Sequence, residues 1–434
     1  MRGLACIAIL CASTAFAGDL PAGSALEVHG QATYIRQYKP SFPAAYSGPH
    51  SLDAERAWSY TLTGTLFFGA RLGDATELYF NPEFVQGLAF SELLGTGGFA
   101  NGEIQRTTGQ QLRGYRARLF ARHTWNLGGE IEEKESDLNQ VRTRYAAERF
   151  VLTAGNLSVL DVFDVLEYSH DPRTQFMNWS SLTYGAWDFP ADARGYTWGV
   201  AAEYITPRFQ VRAGRFLVPV ESNGLRLEHS IVRRYGDVAE FELPYKLASK
   251  PAVARVLAFR NRVTAGEYDE AIALGRAAAA TPDVASVRRA EFKKGFGIST
   301  QVEISQDVGA YLRAGWSDGK TEAFMFTEID RSLAAGGLVK GGRWGRPEDT
   351  VGVAAYINGL SRPHRDYLAA GGLGFFLGDG RLDYATEQIL EVFYSLAVVK
   401  KTHVSLGYQR IANPGYNRDR GPADFFSFRF HAEL

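Results

Sequence analysis

The feature that most constrains the fold is an alternation of apolar and polar residues that recurs along the chain and continues to its last residue. In the final segment, Phe426, Phe428 and Phe430 alternate with polar residues up to Leu434. Side chains on a β-strand point alternately to opposite faces, so this pattern gives one apolar and one polar face. Beyond the first residues, no apolar run approaches the roughly 18 residues that a membrane helix needs. A membrane-spanning form of this chain must therefore use strands.

Segments of the same kind recur throughout the sequence. The clearest cover residues 59–71, 114–125, 196–204, 209–213, 296–304, 308–316, 390–398, 403–409 and 426–434. Weaker segments lie near residues 28–35, 76–84, 148–153, 253–259, 321–329 and 351–357. A transmembrane barrel alternates lipid-facing apolar and lumen-facing polar residues over about ten residues per strand, and bacterial barrels have even strand numbers. The pattern predicts an all-β, antiparallel transmembrane barrel of about 16 strands, with about 18 as the alternative.

A soluble β-sandwich or propeller also has alternating strands and is the competing interpretation. Three features favour the membrane barrel. Tyr, Trp and Phe cluster near the ends of the apolar faces, as in an interfacial girdle. Charges recur on the opposite face, and the sequence ends on a strand. No repeat of fixed length indicates a propeller or a solenoid.

The N-terminus has the pattern of a secretory signal. Arg2 precedes an apolar stretch at residues 4–12, and Ala15 and Ala17 form a small-x-small cleavage site. The two cysteines, Cys6 and Cys11, both lie inside this segment. We therefore expect a signal peptide at residues 1–17, Sec-type export, and a single cysteine-free barrel domain at residues 18–434 in the outer membrane of a Gram-negative bacterium.

Charge and motifs exclude several classes of function. The 47 basic and 48 acidic residues nearly cancel, unlike the basic excess of a nucleic-acid-binding protein. The eight histidines are scattered without metal-ligand spacing, so we predict neither a metal nor another cofactor. An outer-membrane hydrolase is the enzymatic alternative, and Ser169, His170 and Asp171 are its candidates. Neighbours on an extended chain face opposite sides, and no Gly-x-Ser-x-Gly motif occurs, so we predict no enzyme.

Four stretches break the alternation and are predicted to be long loops or lumen constrictions: residues 86–113, 157–194, 264–294 and 331–349. The third contains a run of strong helix formers at residues 268–280, followed by Pro282. We expect a short helical insertion that packs on the barrel as a lid or strut, in preference to a helix that binds a partner.

The polar face of the predicted strands carries charges of both signs. Its arginines are Arg116, Arg118, Arg122, Arg212, Arg313 and Arg429, and its carboxylates are Glu77, Glu83, Glu203, Glu303 and Glu391. A lumen of mixed charge selects weakly between ions and offers hydrogen-bond donors and acceptors to solutes. Among loop aromatics, Trp344 beside Arg346, and Trp179 with Trp187, are candidates for solute contact, with girdle or loop packing as the alternative role.

Four segments resemble the carbohydrate-selective porins of Gram-negative bacteria, the OprB-type family. They are WDFPADARGYTWG at 187–199, GRWGRPEDTVGVA at 342–354, TEQILEVFY at 386–394 and ANPGYNRDRGP at 412–422. The resemblance implies a 16-stranded monomeric or trimeric barrel that passes sugars by facilitated diffusion. A non-selective or weakly ion-selective general porin is the alternative. A TonB-dependent transporter would need about 22 strands and a plug domain, more than this chain can supply.

The resemblance turns the polar face into a set of candidate substrate-binding residues. These candidates are Arg116, Arg118, Arg122, Glu203, Arg212, Glu303, Arg313, Trp344, Arg346 and Glu391. The expected partners are sugars as permeating solutes, the lipid of the outer membrane, and the barrel-assembly machinery, which would recognise the C-terminal strand. No nucleic-acid partner is expected.

Overall fold

The computed structural model describes residues 26–106, 109–326 and 328–434, and the predicted signal at residues 1–17 lies outside them. Within these ranges, sixteen strands form one closed antiparallel barrel. Each strand pairs with its neighbours in sequence, and β1 closes the barrel by pairing with β16. The prediction of an all-β barrel with sixteen strands is confirmed.

The strands, numbered in chain order, are β1 Leu26–Lys39, β2 Ala57–Leu72, β3 Thr76–Leu88, β4 Arg113–Lys134, β5 Thr143–Leu157, β6 Thr197–Ile205, β7 Gln210–Phe216, β8 Tyr235–Leu247, β9 Lys250–Ala265, β10 Arg289–Ser305, β11 Val308–Ser317, β12 Arg331–Gly341, β13 Arg346–Gly359, β14 Glu387–Val399, β15 Thr402–Ala412 and β16 Ala423–Glu433. The α-helices are α1 Trp179–Leu182, α2 Tyr268–Ala278 and α3 Arg362–Ala369. Among the described residues, no helix is long and apolar enough to cross a membrane.

The connections between strands differ sharply in length at the two ends of the barrel. Those that follow odd-numbered strands are long, up to residues 158–196 after β5, whereas most that follow even-numbered strands have two to four residues. We call these the long-loop end and the short-turn end. Bacterial outer-membrane barrels have short periplasmic turns and long extracellular loops, so the long-loop end corresponds to the cell exterior.

The register of the sheet sorts side chains into an outward apolar face and an inward polar face. Across the closure, Tyr34 of β1 lies opposite Phe430 of β16, and Thr33 lies opposite His431. Phe428, on the same face as Phe430, is exposed, whereas Arg429 between them is buried. An apolar surface that remains exposed all around a closed sheet is what lipid contact requires.

Most predicted elements are confirmed, and two are wrong. The segments at 196–204, 209–213, 296–304, 308–316, 390–398 and 403–409 form β6, β7, β10, β11, β14 and β15, and the helical stretch forms α2. Residues 331–341, predicted as loop, form β12, whose small residues such as Gly336 and Gly337 give no visible alternation. The strand predicted at residues 321–329 is not found in the described parts of that range, 321–326 and 328–329, where the apolar side chains Phe324, Phe326 and Ile329 are buried in loop segments.

Long loops fold back into the barrel and pack around an aromatic centre. The ring of Trp179 stacks on Phe326 with centroids 4.9 Å apart, and Phe189 stacks on Phe326 at 4.2 Å. These residues come from two different loops, 158–196 and 318–330, so the loops brace one another. The predicted helix α2 packs on α3, another loop helix, through a buried Tyr268 and Ile272.

Candidate functional site

The loop of residues 158–196, which we call the inward loop, crosses the barrel lumen. Its backbone polar groups lie away from bulk water and need hydrogen-bond partners. Strand residues from several sides of the barrel wall supply them. Glu240 of β8, Arg313 of β11, Glu391 of β14 and Arg429 of β16 all bond to this loop. The inward loop is therefore a built part of the lumen, fixed to widely separated strands.

Glu391 holds the middle of the inward loop. Its carboxylate accepts hydrogen bonds from the backbone N–H of Met177 at 2.6 Å and of Asn178 at 3.1 Å, and from the hydroxyl of Tyr356 at 3.3 Å. Asn178 in turn caps α1 by accepting from Ser180 N–H. Glu391 thus faces the lumen, as expected, but its oxygens are occupied by the loop.

Arg313 anchors the same loop at a second point. It donates to the carbonyls of Ser181 at 2.7 Å and Ser169 at 3.0 Å, and it forms an ion pair of 3.1 Å with Asp164. Asp164 also accepts from the hydroxyl of Thr183. A buried guanidinium that is paired with a carboxylate and bonded to two carbonyls satisfies most of its donors. Arg313 and Glu391 therefore position the loop.

Two further arginines fix the stretch of the inward loop at residues 172–175. Arg429 donates to the carbonyls of Pro172, Thr174 and Gln175. Arg173, from the loop itself, forms ion pairs of 2.8 Å with both Glu83 and Glu103. Burial disfavours the charged guanidinium, but these carboxylates outweigh it and raise the pKa of Arg173 above its ordinary value. The stretch is clamped by charge-assisted bonds on two sides.

The wall formed by β4 to β8, together with Asp161 of the inward loop, carries charged groups that remain partly exposed. Side chains of Arg118 and Asp161 are 13% and 23% exposed and Glu203 is 15% exposed, against 1% for Arg313. Arg118 donates two hydrogen bonds, of 2.7 and 2.6 Å, to the carboxylate of Asp161. Burial favours the neutral carboxyl of Asp161, but Arg118 outweighs it and holds its pKa below the ordinary value.

Two more arginines extend this wall toward the short-turn end. Arg122 lies 3.4 Å from Glu77. Arg212 is surrounded by three carboxylates: its guanidinium is 3.1 Å from Glu203, 2.9 Å from Glu240 and 3.1 Å from Glu242. Arg255 of β9 pairs with Glu242 at 2.8 Å. The wall is therefore a ladder of alternating charge, in which Arg118, Arg122 and Glu203 remain partly exposed to the lumen, whereas Arg212 and Arg255 are buried against their carboxylates.

A cavity of about 230 Å³ lies on the short-turn side of the inward loop. It is bounded by the loop at residues 173–175 and by inward residues of β12 to β16, mainly hydroxyls, imidazoles and one guanidinium: Thr350, Ser395, Ser405, His403, His431 and Arg429. Liquid water takes about 30 Å³ per molecule, so the space suits several waters or one small polar ring. The lumen is thus open and polar below the loop.

One predicted lumen residue, Arg116, faces the wrong way. The pairing of β3 with β4 slips at Ala117, because Asn81 lies opposite Arg118 and the next residue, Pro82, lies opposite Arg116. This β-bulge shifts alternation by one residue. Arg116 consequently points outward and covers the ring of Trp198 at 5.1 Å. The bulge also turns Tyr115 inward to Glu83.

The other candidates lie at the short-turn end: Glu303 points inward, whereas Trp344 and Arg346 cluster with the outward Tyr394 and its partner Asp349, as a girdle residue and its neighbour would. Glu303 of β10 lies opposite Gly309 of β11, one residue from the bulge that precedes the turn, and is exposed. Trp344 and Arg346 lie in and just after the turn from β12 to β13. There Trp344 Nε1 donates to the hydroxyl of Tyr394 at 3.3 Å, and Arg346 Nε donates to Asp349 at 2.5 Å.

The remaining loop aromatics are packing residues. Trp187 is buried, with its ring centroid 5.6 Å from that of Phe189, and Trp179 is buried in the same aromatic centre. Neither is placed to touch a solute in the lumen. Loop packing, the alternative role considered for these two tryptophans, is the role that the structure shows.

Several lumen residues were missed by the sequence interpretation. Asp161, Asp164 and Arg173 lie in the inward loop, where no alternation reveals the direction of a side chain. Glu240 and Glu242 lie on β8, which was not predicted. A signal was present for β8, because the outward Ala239, Phe241 and Leu243 alternate with inward residues.

The three candidates for a hydrolase do not form a relay. The Ser169 hydroxyl donates to the carbonyl of Ser181 at 2.7 Å. Asp171 accepts from the hydroxyl of Thr174 at 2.9 Å and from the backbone N–H of Arg173. A catalytic triad needs the nucleophile bonded to the histidine and the histidine oriented by the acid. Ser169 and Asp171 instead stabilise the turn of the inward loop.

Comparison with known families decides the class. The model of the carbohydrate-selective porin family, OprB, matches residues 51–434. This chain belongs to the OprB family. The porin is similar in fold to Pseudomonas putida OprB, with a TM-score of 0.67 at 14% identity over 94% of each chain. It also resembles the outer-membrane channel DcaP of Acinetobacter baumannii, with a TM-score of 0.50 at 11% identity over 96% of this chain and 99% of that one.

A search of curated protein sequences gives no match. Membership in the family nevertheless establishes the main predictions: the protein is an outer-membrane porin for carbohydrates, and it is a channel and not an enzyme. The family match covers part of the loop after β1 and all of β2 to β16.

Proposed function

We propose that sugars cross this porin by facilitated diffusion between the inward loop and the wall of β4 to β8. The observation that carries the proposal is the difference in exposure across the lumen. The charged side chains of Arg118, Arg122 and Glu203 keep contact with solvent, whereas Arg313 and Glu391, on the other side, are buried under the loop. The open route therefore follows the charge ladder.

The chemistry of this wall suits a neutral polyhydroxylated solute. Each sugar hydroxyl both donates and accepts, and the wall offers the partly exposed guanidinium donors of Arg118 and Arg122 together with the partly exposed carboxylate of Glu203. Because each arginine is paired, the wall holds no large net charge and attracts neither cations nor anions strongly. Glu303, which points inward near the short-turn end, would act where a sugar leaves the lumen.

Liposome swelling with a panel of sugars tests the proposal, together with single-channel conductance in the presence of each sugar. We expect swelling with monosaccharides and a sugar-dependent block of the ionic current. A general, non-selective porin would instead show rates that follow solute size alone and a current that no sugar changes. That outcome would refute selective passage of sugars.

We also propose that β16 is the strand recognised by the barrel-assembly machinery after Sec-type export. Its position at the closure of the barrel supports this role, since β16 pairs with β15 on one side and with β1 on the other. Phe430→Ser should lower the amount of folded barrel in the outer membrane. Tyr34→Ser, which alters the residue directly opposite Phe430, is the matched control and should assemble normally. Equal loss in both variants would argue against recognition of β16.

Native mass spectrometry of the purified porin determines its assembly state. The family resemblance allows a monomer or a homotrimer, with outer-membrane lipid around either form. Measurement in the same detergent before and after lipid removal separates a state held by protein contacts from one held by lipid.

A further inference from the structure

A row of charged residues lies on the outward face of β7 to β10, near the long-loop end. Arg215 lies opposite Asp237, Asp237 lies opposite Arg260, and Arg260 lies opposite Lys294. Directly paired residues share a face of the sheet. The same face carries Val256, which is exposed four residues from Arg260 along β9. The row therefore borders the lipid-facing surface. We call Arg215, Arg260, Arg262 and Lys294 the basic rim.

The basic rim contains more positive than negative charge. Asp237 pairs with Arg215 at 2.7 Å and with Arg260 at 3.0 Å. Within the described ranges, neither Arg262 nor Lys294 has an ion pair with a carboxylate. Four cations thus share one anion. Like charges directly opposite each other, as in Arg260 and Lys294, destabilise an antiparallel pair unless an anion lies near them.

Aromatic side chains place the basic rim at the depth of lipid headgroups. The guanidinium carbons of Arg260 and Arg262 lie 5.6 and 5.8 Å from the ring centre of Phe292. Four residues further along β10, and two residues from Lys294, Phe296 stacks on Trp316 with centroids 5.5 Å apart. Aromatic side chains gather at the boundary between hydrocarbon and headgroups. The cations above them lie where the charged groups of the outer leaflet are found.

Another outward arginine near the long-loop end is fully balanced by a carboxylate. Arg410 of β15 is paired one to one with Asp424 of β16 at 3.1 Å. The basic rim lacks such a balance. Arginine forks and a nearby lysine are well suited to phosphate oxygens, which accept several charge-assisted hydrogen bonds at once. We propose that the basic rim binds the phosphate groups of a phosphorylated glycolipid of the outer leaflet, of the lipid A type.

The test uses the purified full-length barrel in detergent and measures binding of bisphosphorylated lipid A by native mass spectrometry. The same lipid A without its phosphates is the control ligand. We expect tighter binding of the phosphorylated form. Arg262→Gln combined with Lys294→Gln removes two cations, each worth a few-fold near an anionic headgroup, and should weaken binding about thirtyfold. Arg410→Gln, the matched control, should bind like the unaltered porin.

A second variant is expected to tighten binding, so the proposal can still be tested if the double variant misfolds. Asp237→Asn removes the one carboxylate of the row and should tighten binding about fivefold. Because the row faces outward, sugar-dependent swelling should not change in any of these variants, which separates this proposal from that on sugar passage. Equal binding of both forms of lipid A by the unaltered porin would overturn the proposal. So would complete displacement of the lipid by inorganic phosphate, which would indicate a site for free phosphate.

Discussion

Nδ1 of His364 donates a hydrogen bond of 2.9 Å to Asp330, and both side chains are buried where the long loops meet at the long-loop end of the barrel. His364 lies in the first turn of α3, and its ring stacks on that of Tyr268 with centroids 4.4 Å apart. On the other side, Glu328 lies 3.5 Å from Nε2. One imidazole thus joins the loops that follow β9, β11 and β13.

This contact should make the outer loops sensitive to alkaline pH. Burial opposes protonation of His364, but Asp330 and Glu328 outweigh it and raise its pKa to about 9. A free histidine has a pKa of about 6.5, so the stabilisation is complete below that pH and is lost as pH rises through about 9. Hydrogen exchange, corrected for its intrinsic pH dependence, should show protected residues 360–370 at pH about 7 and lower protection at pH about 10.

His364→Gln is the control for this effect. It removes the titrating group and leaves two buried carboxylates without their cation, which typically costs about 3–5 kcal/mol. The variant should show weak protection of α3 already at neutral pH and no further loss on alkalinisation. Unchanged protection of the native loops between neutral and alkaline pH would contradict the assignment.

Arg118 and Arg116 form a matched pair for testing which arginines face the pore. Arg118→Gln leaves Asp161 without its cation inside the lumen, so the channel should become more selective for cations. Arg116→Gln removes a charge from the outer surface and should leave selectivity unchanged. Reversal potentials in a salt gradient measure both. A larger shift with Arg116→Gln than with Arg118→Gln would mean that the orientation of β4 is wrong.

The direction of a strand side chain can be predicted from the sequence wherever the strand is regular. The strand period fixes which residues share a face, so Arg118, Arg122, Arg212 and Arg313 were correctly placed inside. A single inserted residue inverts the assignment, as the bulge at Ala117 did for Arg116. No pattern in the sequence announces such a bulge, because the alternation on either side of it remains intact.

The function of an inward charge was harder to predict than its direction. Arg313 and Glu391 were expected to line the pore, and both do point inward, but their bonds go to the backbone of the inward loop. That loop has no periodic pattern, so its path could not be inferred. Its partners were consequently interpreted as free. Long-range contacts between a loop and a strand are the part of this site that no local sequence pattern encodes.

The anchoring role of Glu391 leads to a prediction about the pore. Glu391→Ala leaves the N–H groups of Met177 and Asn178 without acceptors, and each buried unpaired group costs about 1–3 kcal/mol. The inward loop should open more often, giving a noisier and larger conductance and a weaker block by sugars. Glu303→Ala, an inward carboxylate near the short-turn end, is the control. Single-channel recordings that are quiet in both variants would show that the loop does not depend on Glu391.

The last prediction concerns the outward face, which the alternation of β16 defines most clearly. Phe428 lies at the middle of this strand and is exposed to lipid. Phe428→Arg should lower the free energy of unfolding by about 2–4 kcal/mol, because an arginine at the bilayer midplane loses its hydration. Val398, also outward, lies two residues from the short turn after β14, so Val398→Arg should cost only about 0–1 kcal/mol. Reversible urea unfolding in lipid vesicles compares the two. Equal costs would place both residues at the same depth and displace the hydrophobic band along the barrel.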